Sequence, residues 1–168
     1  MRNAHASFLL LCIVLSLVVI VCTVDNRGSS ASVKHQSVVA GYYYGGFERM
    51  EPSDLPDEYL THVLYAFGRI DPDTGKVVLA NPAKDREKLE ELRRLRGENP
   101  ELKILLSVGG PTYSAFFSDA ALNDGSREIF AQSCLDLVRK EELDGLDINW
   151  EYPVLGGRDD VIHRAEDK

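Results

Sequence analysis

The stretch Asp144-Gly145-Leu146-Asp147-Ile148-Asn149-Trp150-Glu151-Tyr152-Pro153 constrains the fold more than any other. Polar and large apolar residues alternate from Leu146 to Glu151. A period of two predicts a strand over Gly145–Glu151, with Asp147, Asn149 and Glu151 on one face. Leu146, Ile148 and Trp150 then share the other face, which is expected to be buried under helices. Pro153 ends the strand. By spacing alone, an edge strand with solvated carboxylates and a strand lining a site are equal readings. A helical pattern just upstream places the strand in a βαβ context, where both sheet faces are normally covered. Acids at the carboxyl end of such a strand point to chemistry.

The rest of the chain supplies the partners for that strand. Ser37–Tyr44, His62–Phe67 and Lys103–Val108 are rich in β-forming residues and read as three further strands. Pro52–Tyr59 reads as a short irregular or helical connection, and Asp71-Pro72-Asp73-Thr74-Gly75 as a turn cluster. Asp85–Arg96 is predicted as a helix with Leu89, Leu92 and Leu95 inward and Gly97 as its stop. A second helix is expected with Ser126 as cap and Ile129, Phe130, Cys134, Leu137 and Val138 on its inner face. Right-handed crossovers make the result a parallel sheet. The pattern alone is compatible with an open doubly wound sheet and with a closed eight-stranded barrel. No Gly-x-Gly-x-x-Gly follows the first strand, which leaves a dinucleotide site without support.

Asp144, Asp147, Asn149 and Glu151, with Trp150-Tyr152-Pro153, resemble the Asp-x-x-Asp-x-Asp-x-Glu signature of glycoside hydrolase family 18, the chitinases and chitinase-like lectins. Thr61–Phe67 and Lys103–Gly110 are similar to the family's second- and third-strand motifs. The resemblance covers about Ser37 to Lys168 and implies an α/β fold, a (β/α)8 TIM-type barrel. Only its first four strands are present in this chain. A barrel of this kind needs roughly 250 residues. The sequence is therefore expected to be the N-terminal half of the catalytic domain, a fragment of a longer protein. A truncated natural product is the alternative. The chain departs from the family at two positions: Asn149 stands where the family has its third Asp, and Pro111 where it often has Trp.

The resemblance also implies the chemistry. Glu151 would be the proton donor, since a carboxyl group kept protonated by partial desolvation can give its proton to a leaving oxygen. The attacking group would be the substrate's own N-acetyl oxygen, the substrate-assisted exception to the two-carboxylate scheme. The substrate implied is chitin or chito-oligosaccharide, β-1,4-linked N-acetylglucosamine. Asn149 would accept the acetamide N–H without supplying charge, and weaker catalysis is expected. Asp147 would support Asn149 from one layer deeper. Asp144 has the opposite parity and is expected to be structural. Tyr43, Phe67, Gly109, Gly110 and Tyr152 are the candidate substrate-binding residues, and Tyr113 is a further candidate wall. The alternative functions are a chito-oligosaccharide-binding lectin without turnover, or an inert truncated product.

Composition bounds the partners. The 168 residues carry a net charge of −8 and no basic run. Nucleic acid and anionic membrane surfaces are therefore not expected as partners. His62 and His163 lack the partner spacing of a metal site, so no metal and no cofactor is expected. Arg2 followed by the apolar run Phe8–Val24 reads as a signal peptide over residues 1–24, which implies a secreted, extracellular protein. An uncleaved signal anchor, giving a type II membrane protein, is the alternative. Residues 25–36 read as a flexible lead-in. Cys134 is the one cysteine outside the leader and is expected to be a buried small hydrophobe.

Overall fold

The β-rich stretches pair in the order their crossovers predict. The structure, a computed structural model, describes residues 37–46, 50–164 and 167. The leader and lead-in expected over residues 1–36 lie outside the described residues. The elements are β1 (Ala40–Tyr44), two single-turn helices (Pro52–Asp54 and Asp57–Tyr59), β2 (His62–Ile70), β3 (Val77–Leu79) and α1 (Pro82–Glu98). There follow β4 (Lys103–Gly109), α2 (Gly110–Tyr113), α3 (Phe117–Ala121), α4 (Asp124–Lys140) and β5 (Gly145–Asn149).

Four strands run parallel in the order β1-β2-β4-β5. This is the sheet expected of the first four strands of the barrel. The short β3 is an addition: it pairs antiparallel with the end of β2 and makes Asp71–Gly75 a hairpin loop. The register sets one face of the sheet. Tyr42 lies opposite Leu64 and Tyr44 opposite Ala66. Ala66 is in turn beside Ser107, and Ser107 beside Asp147. Gly109 and Asn149 form the next pair.

The other face carries the core. Tyr43, Val63, Tyr65, Ile104, Leu106 and Val108 are buried there with Leu89 and Leu92 of α1 and Cys134 and Leu137 of α4. Each fully buried Leu or Val contributes about 1.5–3 kcal/mol of transfer free energy. The buried carboxylates of this layer are paired, as their desolvation requires, whereas the Trp150 indole N–H is buried without a partner among the described residues. Asp85 accepts from the Tyr65 hydroxyl at 2.8 Å and from the Asn81 N–H at 2.7 Å. Burial, reinforced by Asp85, pushes the Tyr65 phenol far above its ordinary range. Glu141 is paired with Arg86 at 3.0 Å. Burial likewise pushes the Cys134 thiol up to about 11, the behaviour of an inert core cysteine.

Several boundaries differ from those the sequence suggests. α1 begins at Pro82, because Asn81 caps it and Pro fits its first turn. It continues through Gly97 and ends at Glu98; a solvent-facing glycine is tolerated there at a cost of about 1 kcal/mol. α4 is capped by Asn123 rather than Ser126. Asn123 Oδ1 accepts from the Ser126 N–H at 3.0 Å, and the Asn123 N–H donates to Ser126 Oγ at 3.1 Å. This reciprocal box starts the helix three residues earlier than a Ser126 cap would. Ile129 is exposed rather than inward. β5 stops at Asn149, so Glu151 follows the strand instead of ending it. Ile148, expected to be covered, is 51% exposed on the outer face of β5.

Candidate active site

The polar face of β5 meets the inner face of the sheet at its carboxyl end. Asp147 sits in register with Ser107 and is held by two hydroxyls. Its Oδ2 accepts from Ser107 Oγ at 2.7 Å and from the Tyr42 hydroxyl at 2.9 Å. Partial burial and the Asp147 bond together push the Tyr42 phenol up to about 12, so it remains a donor across the neutral range. Asn149 and Glu151 lie one and two steps nearer the mouth. Among the described residues, neither the Asn149 amide nor the Glu151 carboxylate has a hydrogen-bond partner, and both side chains are only partly exposed. Two polar groups are thus presented at the mouth, above a carboxylate that is already tied down.

Gly109 and Gly110 allow β5 and the Phe67 ring to approach. A Cβ on Gly109 would lie 2.3 Å from the Asn149 carbonyl oxygen. A Cβ on Gly110 would lie 2.5 Å from the Phe67 ring. Both glycines have positive φ, 105° and 67°, which other residues adopt only under strain. The Phe67 ring lies 6.4 Å from that of Tyr42 and 6.0 Å from that of Tyr44, forming an aromatic group on the inner face. Such faces suit the apolar face of a sugar ring. Tyr152 is 52% exposed just beyond Glu151, and Tyr113 is half-buried in α2.

Tyr43 is corrected. It is fully buried on the helix side of the sheet, and its hydroxyl donates to the Met50 carbonyl at 2.8 Å. Strand parity explains this: alternation puts Tyr42 and Tyr44 on the inner face and Tyr43 behind them. Trp150 lies in the outer layer, stacked on Phe117 with ring centroids 5.5 Å apart. Asp144 is a strut between elements, accepting from the Ile104 N–H at 2.9 Å and from Arg96 at 2.7 Å.

Sequence reasoning missed Tyr42, Ser107 and Ser114. Pairing parity carried a signal for the first, and a lone hydroxyl in the apolar run Ile104–Val108 carried one for the second. Ser114 had no local signal. Among the described residues, no group of three or more His, Cys, Asp and Glu side chains converges to hold a metal. None of their helices is long and apolar enough to cross a membrane.

Parallel strands with helical crossovers, and polar and acidic residues gathered at the carboxyl end of one strand, define a partial (β/α)8 barrel of the glycosidase kind. The profile described as Glycosyl hydrolases family 18 matches residues 39–167, and the chain belongs to this family. It is 32% identical over 202 residues to Chitinase A1 of Niallia circulans, an alignment covering 92% of this chain and 29% of that protein. Its fold superposes on chitinase ChiA74 from Bacillus thuringiensis with a TM-score of 0.69 and 28% identity, over 77% of this chain and 30% of that one. A mutant class V chitinase from Nicotiana tobaccum, solved in complex with NAG4, matches with a TM-score of 0.61 and 26% identity, over 71% and 34% of the two chains. The chain therefore spans well under half the length of these relatives.

Proposed function

We propose that the complete protein is a chitinase that cleaves β-1,4-linked N-acetylglucosamine polymers by a substrate-assisted, retaining mechanism. The observation that carries this reading is the set Asp147, Asn149 and Glu151 at the mouth of the sheet, with Asp147 fixed by Tyr42 and Ser107. Glu151 gives its proton to the glycosidic oxygen as the bond to C1 breaks, and the bond's electron pair stays on that oxygen. The acetamide oxygen of the same sugar attacks C1 from the opposite side and forms an oxazolinium ion. Water then opens this ion, its proton returns to Glu151, and two inversions give net retention. The neighbour solved with NAG4 supports a chito-oligosaccharide as the ligand class. Phe67, Gly109, Gly110 and Tyr152 are proposed to border the sugar, joined by Tyr42 and Tyr44. Residues 1–24 are proposed as the leader of a secreted domain that starts near residue 37; the mature protein's N-terminal residue is the check.

Asn149 sets the expected rate. Its amide oxygen can accept the acetamide N–H but brings no charge to the developing cation. Losing that charge in a water-poor site costs about 2 to 4 kcal/mol, or a roughly 30- to 1000-fold slower turnover. Asn149 and Pro111 thus favour a second reading, a lectin that holds chito-oligosaccharide without cutting it. Hydrolysis of a short chito-oligosaccharide by the complete protein separates the two. Asn149→Asp is expected to raise turnover by roughly the factor above, and Glu151→Gln to abolish it while binding survives. Tight binding with no turnover in either the native or the Asn149→Asp protein would establish the lectin instead.

A further inference from the structure

We infer that Ser114 is a positioning residue for Glu151; this rests on the reading of Glu151 as the proton donor. Ser114 follows α2 and is 2% exposed. Its Oγ accepts from the Glu151 N–H at 2.9 Å. The same oxygen lies 2.8 Å from the Gly110 carbonyl and 3.1 Å from the Asn149 carbonyl. A serine hydroxyl has one proton to give and lone pairs to accept with. Donation to one carbonyl while accepting from Glu151 therefore exhausts this geometry, and the shorter contact favours Gly110. The result is a relay from the Glu151 amide through Ser114 to the start of α2. It reaches across from the loop after β4 to the residue that follows β5.

Glu151 requires such a tether. β5 ends at Asn149, so the sheet ladder does not hold the Glu151 backbone. On its carbonyl side the backbone of Gly157 passes close, with room only for glycine: a Cβ there would lie 2.5 Å from the Glu151 oxygen. The Ser114 bond thus fixes the amide side of Glu151, from which its carboxylate starts. A proton donor misplaced by about 1 Å can lose roughly a hundredfold in rate. Ser114 touches no substrate in this scheme and acts through the Glu151 backbone.

The experiment uses the complete protein, Ser114→Ala, and Ser133→Ala as a matched control. Ser133 makes the same kind of buried bridge elsewhere: its Oγ accepts from the Val77 N–H at 2.9 Å and donates to the Phe130 carbonyl at 2.8 Å. Two readouts are taken, amide hydrogen exchange at residue 151 and steady-state hydrolysis of chito-oligosaccharide. In Ser114→Ala, exchange at Glu151 is expected to speed up about tenfold or more while the amides of Ile104 and Leu106 stay protected. Expected with it is a fall in kcat of about 10- to 100-fold with KM within about twofold. Ser133→Ala is expected to lower thermal stability and leave kcat unchanged. Unchanged exchange at Glu151 overturns the tether whatever the activity. Faster exchange with unchanged kcat overturns the positioning role. Faster exchange in a protein that never hydrolyses the substrate upholds the tether and overturns the enzymatic reading.

Discussion

Asp144 and Asn149 are five residues apart and do opposite work. Asn149 faces the mouth, where in the proposed mechanism its missing charge would slow turnover. Asp144 faces the seam between α1 and β4. Partial burial works against the Asp144 charge, but the Ile104 N–H and the Arg96 guanidinium outweigh it, with Lys103 nearby, and hold its carboxyl below the ordinary value. A depressed carboxylate contributes stability that is present above its unfolded pKa, about 3.9, and is lost as pH falls through the folded value. Denaturant titrations from pH 7 down to pH 3 are expected to show that loss. Asp144→Asn is expected to cost about 1–3 kcal/mol at pH 7 and to flatten the acid slope. A variant as stable as the native protein at pH 7 would mean the strut contributes nothing. Single residues were legible to different depths. Parity separates Asp147 from Asp144, but in Tyr42-Tyr43-Tyr44 three identical side chains hide that the outer two face inward and Tyr43 does not.

At the scale of elements, the end of β4 and the end of β5 are one structural unit. Gly109 pairs with Asn149, Gly110 admits the Phe67 ring, and α2 leads directly to Ser114. Gly109→Ala is expected to strain a backbone with φ 105° and to drive a methyl group into the Asn149 carbonyl. A cost of at least about 2–3 kcal/mol is expected, read as a fall in the thermal midpoint. Gly97→Ala is the control: a Cβ there meets nothing within 4 Å, and the change is expected to stabilise α1 by up to about 1 kcal/mol. Three of the parallel strands were readable because their apolar runs are bounded by breakers, and β5 because polar and apolar residues alternate along it. β3 was not, since three residues of Val-Val-Leu next to a turn carry no period of their own. The helix starts were misplaced for a similar reason. Asn81 and Asn123 cap through side-chain oxygens that accept backbone N–H groups three residues on, and neither stands directly before an apolar run.

At the largest scale, the described residues form a sheet whose outer strands each have one partner. Among the described residues, β1 pairs only with β2, and β5 only with β4. Tyr42 and Tyr44 are 41% and 38% exposed on the inner face, and Ile148 and Leu155 are 51% and 75% exposed. In a closed (β/α)8 barrel the edges are paired and the inner face is filled. Unpaired parallel edges beside exposed large apolar residues favour association with whatever strand is available. A polypeptide limited to residues 37–168 is therefore expected to self-associate, sedimenting as species larger than a monomer and binding an apolar dye. The complete protein is expected to do neither. The same deficit predicts no hydrolysis by residues 37–168 alone, because the site then has one wall and water reaches Glu151 freely. A monomer of residues 37–168 that unfolds cooperatively would show that four strands suffice for a stable sheet. Detectable turnover by that monomer would show that the groups gathered around Glu151 need no second half of the barrel.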